Sequence, residues 1–149
     1  MAATGAKLGT KTRFLREDPV GGGVYASVAE VKSIGGPSLS RDAVEATHTE
    51  SPDDHAEFIP GLANGGEISL VLNFRPEHTS QGATAGLLKD FQDGTIRSWR
   101  VEWPQFPNTP TLTFSGFLTG WEPTSAAKDL LTVACKLKIT GKTTATNFA

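Results

Sequence analysis

Residues 38–75 read SLSRDAVEATHTESPDDHAEFIPGLANGGEISLVLNFR, and the fold is decided at the seam inside this stretch. From Glu67 onward the alternation is strict. Ile68, Leu70, Leu72 and Phe74 point one way, and Glu67, Ser69, Asn73 and Arg75 the other. A side-chain period of two marks a strand with one buried face. The preceding residues, 42–64, have no such period and contain Pro52, Pro60 and Gly61, with Gly65 and Gly66 just beyond. They read as a long, carboxylate-rich loop. Loops of that length in compact domains usually serve function.

Working outward, residues 130–140 show a second clean alternation. Leu131, Val133, Cys135, Leu137 and Ile139 oppose Thr132, Ala134, Lys136, Lys138 and Thr140. Residues 95–103 put Trp99, Val101 and Trp103 on one face. Residues 111–121 start with Leu112 and Phe114 inward, and Gly116 and Gly120 signal a kink or close backbone approach. Residues 10–16 form a short strand with Phe14 inward. Residues 24–34 form another, with Val31 out of phase and a bulge expected near Ala29 or Glu30. One helix follows Pro76, capped by Thr79 or Ser80, with Leu87, Leu88 and Phe91 on one face and Asp93-Gly94 as its stop. The expected architecture is mainly β: an antiparallel sandwich or barrel of about six strands with one flanking helix.

A chain of 149 residues fits a single domain and is long enough for a real core. Residues 1–9 read as a flexible arm and 143–149 as a C-terminal tail. The formal net charge of −2 argues against a nucleic-acid binder, which needs a basic stripe to displace counterions. No stretch suits a transmembrane helix, and the N-terminus has no apolar run for a signal peptide. The lone Cys135 cannot form an internal disulfide, which suggests a reducing compartment.

The chemistry-bearing residues concentrate in the loop: Asp42, His48, Asp53, Asp54, His55 and Glu57, with Phe58 and Ile59 as its one adjacent pair of large apolar residues. Histidines beside carboxylates suit a divalent cation, but without a helix to align them a solvated acidic loop or a polar interface is the simpler reading. Asp53-Asp54 and Asp90-Asp93 read as solvated charge rather than acid–base pairs. No nucleophile elbow occurs, and Gly21–Gly23 lacks the Lys-Ser/Thr of a phosphate loop. No cofactor is implied. Trp121, at a strand end, suits stacking on a sugar ring.

The order and spacing of Val44, Thr47, His48 and Ser51, the run 57–62 (EFIPGL), 66–69 (GEIS), and Asn73, Phe74 and Pro76 resemble the central signature of the major tail tube proteins of long, non-contractile-tailed bacteriophages. The likeness extends upstream over residues 25–42 and downstream over 129–142. It implies a structural virion protein and no enzyme. Six subunits would form a ring whose sheets join into one barrel, and rings would stack into a hollow tail tube that conducts DNA without binding it specifically. It further implies a tape measure protein, tail tip and tail terminator as partners, a place in the virion tail, and assembly in the host bacterial cytoplasm with no membrane. On this reading residues 42–64 stack rings or join subunits, the two termini add contacts, and Glu67, Ser69 and Asn73 are candidates to face the lumen. The alternatives are the tube of a gene transfer agent or other tail-like particle, or a monomeric carbohydrate-binding β-sandwich working through Trp121.

Overall fold

The computed structural model describes residues 3–149, so Met1 and Ala2 of the expected arm lie outside the described residues. Among the described residues nine strands and one α-helix follow in order: β1 (Arg13–Glu17), β2 (Tyr25–Ser27), β3 (Val31–Gly35), β4 (Ser40–Glu45), β5 (Phe58–Asn64), β6 (Glu67–Asn73), α1 (Leu87–Asp93), β7 (Arg97–Glu102), β8 (Thr111–Thr124) and β9 (Thr132–Thr146). Seven strands make an antiparallel sheet in the order β2-β1-β7-β8-β9-β6-β3, while β4 and β5 pair only with each other.

The two alternating segments lie side by side. Ile68 sits opposite Leu137, Leu70 opposite Cys135, and Leu72 opposite Val133. All six are buried. Pairing apolar residues across a ladder stabilises the sheet and pins its register, because a one-residue slip would turn every one of them to water.

The strand order forces curvature. β2 and β3 are consecutive in the chain but occupy opposite edges of the sheet. Four Cα steps from Ser27 to Val31 span at most ~14 Å. Flat, six inter-strand gaps would separate the edges by roughly 29 Å. The sheet therefore curls into a barrel-like shell, and β1 meets β3 across the seam. The turn between β2 and β3 is made by Glu30 in a left-handed conformation, φ 54°. The expected bulge in one continuous strand is thus a break between two strands at opposite edges.

Inside the shell, Phe14 stacks on Trp99 at 5.5 Å between centroids, and Val101, Phe114 and Leu118 complete that end of the core. The Trp99 indole donates to the Gly116 carbonyl at 3.1 Å. A Cβ at Gly116 would lie 2.5 Å from the Lys138 carbonyl oxygen, so the close approach expected there is present.

Helix α1 has only seven residues, too few to persist without tertiary support. Gly94, at φ 64°, ends it as a left-handed cap. Thr79 and Ser80 do not cap it. Ser80 instead accepts the Ala29 N–H, tying the preceding turns to the β2–β3 connection. Leu87 is buried as expected, but Phe91 is exposed and the buried polar member is Asp90, 1% accessible. Its carboxylate receives Arg16 through two nitrogens (2.6 and 3.0 Å) and Arg97 through one (2.7 Å). Arg97 also donates to the Glu17 carbonyl, and the Glu17 carboxylate accepts the Gly21 and Gly23 N–H groups. The solvated-charge reading of Asp90 is therefore wrong. It clamps α1 to β1 and β7.

Two further expectations change. Leu131 precedes β9 and is exposed, contributing only its carbonyl to the Phe74 N–H. Thr143–Thr146 is not a free tail, since β9 runs to Thr146 and pairs with β8 as far as Thr111. Residues 3–9 of the expected arm are exposed.

Replacing Asp90 with Ala would leave two buried guanidinium groups unpaired, which costs about 3–5 kcal/mol. Urea denaturation of the Asp90→Ala protein should show that loss with an unchanged slope. A loss under about 1 kcal/mol would mean the clamp is not what holds α1.

Candidate assembly interface

The 42–64 segment is an ordered hairpin rather than a loop. Ser40 lies opposite Asn64, Arg41 opposite Ala63, Ala43 opposite Pro60, Val44 opposite Ile59, and Glu45 opposite Phe58, with a register shift between Arg41 and Ala43. The pairing runs on to Ala46, whose N–H reaches the Glu57 carbonyl at 2.8 Å. At the base, the Ser38 hydroxyl accepts the Glu67 N–H at 3.2 Å, so the hairpin continues the β3–β6 pair as a bent ribbon.

The tip is organised around Glu57. Its N–H donates to Thr47 Oγ1 at 2.9 Å, and its carboxylate accepts the Ser51 hydroxyl at 2.6 Å and lies 3.3 Å from His48 Nε2. Ser51 Oγ in turn accepts the His48 N–H at 3.0 Å. Thr47, His48, Ser51 and Glu57 thus converge although the sequence separates them by up to ten residues. The serine and the histidine both address the carboxylate, so the arrangement closes a turn and poises no nucleophile. Asp53 and Asp54, at φ 55° and 57°, form the turn itself, a conformation that Asp tolerates better than most residues. His55 contacts the Asp53 carbonyl at 2.7 Å. Among the described residues no three His, Cys, Asp or Glu side chains gather as a metal site.

No hairpin residue is buried, yet Leu39, Val44, Phe58, Ile59 and Leu62 are large, apolar and exposed, Leu62 at 84%. Apolar exposure gathered along one ribbon makes it a candidate contact surface. Several strand edges lack a strand partner among the described residues, and two of them lie on long exposed stretches. One is the outer edge of β4. The other is β8 from Phe117 to Thr124, where β7 has ended at the Arg97–Gly116 pair. Such edges template pairing with another chain.

The polar faces of β6 and β9 carry Glu67 directly opposite Lys138 and Ser69 opposite Lys136. Glu67 and Ser69 are exposed, while Asn73 is half-buried and reaches Glu30 at 3.4 Å. The face is therefore mixed in charge, with an acid directly across from one of the two lysines. Trp121 is half-buried with its ring against the edge of Phe74 at 5.9 Å, which removes the open platform a sugar would need. Cys135 is buried, and burial pushes its thiol up to about 12. An apolar groove around Trp103, Phe106 and Phe148 had no counterpart in the sequence reading. Its only signal was the run WPQFPNTP at 103–110, which reads simply as a turn.

The chain belongs to the lambda phage tail tube protein family, whose model matches residues 9–146, and its role is that of a structural tail tube protein. Among curated proteins none matches the chain in sequence. Solved structures share its fold at low identity. The tail of an empty gene transfer agent particle, determined with C6 symmetry, is 17% identical over 95% of this chain and 99% of that one, with a TM-score of 0.76. The tail tube of SPP1 is 11% identical over 93% and 77%, at 0.69. A sheath/tube terminator of the PVC extracellular contractile injection system is 13% identical over 97% and 99%, at 0.71. At these identities the likeness is one of fold.

Two outcomes are expected of the isolated protein. Glu57→Ala should accelerate amide exchange at the hairpin tip by about tenfold while global stability shifts by under ~0.5 kcal/mol, as for local release of a surface turn. Cys135 should resist iodoacetamide at pH 8 until the protein unfolds, because a thiol pushed up to about 12 carries almost no thiolate there.

Proposed function

We propose that six copies of this chain close into a ring and that rings stack into a hollow virion tail tube through which DNA passes. The observation that carries this reading is that, among the unpartnered edges, β4 and the Phe117–Thr124 stretch of β8 are two exposed edges able to pair with each other between copies. Joining the first edge of one copy to the second edge of the next is a heterologous contact, and such contacts close into rings when the rotation allows. Each copy then supplies four strands to the wall: the β3–β4 ribbon, the β5–β6 ribbon, β9 and β8.

Magnitudes are compatible with six and exclude three. Twenty-four strands about 4.8 Å apart, tilted as in closed barrels, enclose a backbone cylinder of roughly 45–50 Å. Removing about 10 Å for side chains leaves room for a duplex about 20 Å wide. Three copies would leave roughly 13 Å, too narrow for a duplex. The polar β6 and β9 face, with Glu67, Ser69 and Asn73, lines this lumen. Its mixed charge favours sliding over adhesion to phosphate.

The 42–64 hairpin makes the contacts between copies, anchored by Phe58 and Ile59. The residues near the two termini add to them. The partners on this reading are further copies of the chain, a tape measure protein, and the proteins that start and end the tube, with assembly in the bacterial cytoplasm. The same tube would serve a gene transfer agent equally well, a reading favoured by the fold likeness to that particle's tail.

Negative-stain microscopy at high protein concentration, beside size-exclusion chromatography at low concentration, tests the reading. Hollow filaments of stacked rings are expected. A species monomeric at every concentration contradicts it. The variant carrying both Phe58→Ser and Ile59→Ser should remain a folded monomer with unchanged circular dichroism and form no filaments. Normal filaments from that variant would place the anchor elsewhere.

A further inference from the structure

The groove around Trp103 and Phe148 is mainly apolar. Trp103, Phe106, Pro107, Pro110 and Phe148 line about 700 Å3 of open space. Phe148 packs edge-on against Trp103 at 5.9 Å, so the wall is built by side chains from two segments far apart in the chain. Its rim holds Asn108 and Thr109 at φ 64° and 46°. A β-branched residue in that region is strained, and such strain persists where a loop is held for a purpose. No residue of the 42–64 hairpin lines the groove within the same chain.

Charge singles out what would fill it. Residues 1–16 contain Lys7, Lys11, Arg13 and Arg16 and no acid. Gln105 ties this segment to the groove loop, donating to the Leu8 carbonyl at 2.9 Å and to Thr12 Oγ1 at 3.1 Å. Arg13 is paired with Glu102 and Arg16 with Asp90, whereas among the described residues Lys7 and Lys11 have no acidic partner. The hairpin is the reverse. Residues 42–57 hold Asp42, Glu45, Glu50, Asp53, Asp54 and Glu57 and no Lys or Arg. Beside that acidic tip stand Phe58 and Ile59, exposed at 59% and 54%.

We infer that the aromatic groove receives the hairpin of a second copy, with Phe58 or Ile59 seated among Trp103, Phe106 and Phe148 and the acidic tip lying against Lys7 and Lys11. This deepens the tube reading and rests on it, naming the two surfaces that meet between copies. An apolar anchor in a pocket ringed by opposite charges is how interfaces combine affinity with register. Because the two surfaces differ, the contact is head-to-tail and propagates.

The test is to assemble a mixture of isotopically light and heavy protein and join touching amines and carboxylates with a zero-length carbodiimide. Peptides linking Lys7 or Lys11 to Glu50, Asp53, Asp54 or Glu57 are expected as mixed light–heavy pairs. Phe148→Ala, which trims a half-exposed side chain outside the core, should raise the concentration needed for filament growth by about tenfold. If filaments form but the hairpin carboxylates link elsewhere and Phe148→Ala leaves that concentration unchanged, the pairing is wrong and the tube reading stands. If no filaments form under any condition, both readings fall together.

Discussion

The connection between Ser27 and Val31 is too short for a flat sheet. Its two ends belong to the outermost strands of a seven-stranded sheet, and three intervening residues cannot reach across the width of one. Closing the sheet on itself is the only way to satisfy both pairings. Much follows from that constraint. The curled sheet encloses Trp99, Phe14, Leu70 and Leu137 in one core. The curl also brings β1 close to α1, where Asp90 holds Arg16 and Arg97. And it leaves β4 and β5 no place in the main sheet, so they leave the body as a separate ribbon.

That ribbon departs from the rules that govern the core. Its strands bury nothing, and its large apolar residues face water. Its order comes from backbone pairing and from the bonds that gather Thr47, Ser51 and His48 around Glu57. Such an element holds a shape while leaving apolar surface uncovered. The same division appears at β8, which is paired on both edges up to Gly116 and on one edge beyond it. The body of the protein is self-sufficient, and the surfaces left over suit a second copy.

Much of this was legible in the sequence wherever one face of a strand meets the core. The alternation read over 67–75, 95–103 and 130–140 finds β6, β7 and β9 to within a few residues at their ends, because burial on a single side imposes a period of two. The hairpin escaped the same test since neither of its faces is buried, so its residues carry no period. Thr143–Thr146 escaped for a like reason, as an exposed polar extension reads as a tail. Asp90 was misread because its partners lie on β1 and β7, and no local pattern announces an ion pair across 74 residues of chain. The residues that organise the tip of the 42–64 segment, Thr47, His48, Ser51 and Glu57, are members of the motif that signalled the family. Their spacing has a physical cause in the closure of that turn.

The central claim is that the free edges of β4 and β8 join between neighbouring copies to close a continuous wall. A helical reconstruction of assembled filaments, at a resolution that separates strands, addresses it most directly. The account predicts six subunits per ring, with the backbone of β4 in one subunit hydrogen-bonded to residues 117–124 of the next. A ring in which these two edges face solvent, with subunits held together by other surfaces, would contradict it.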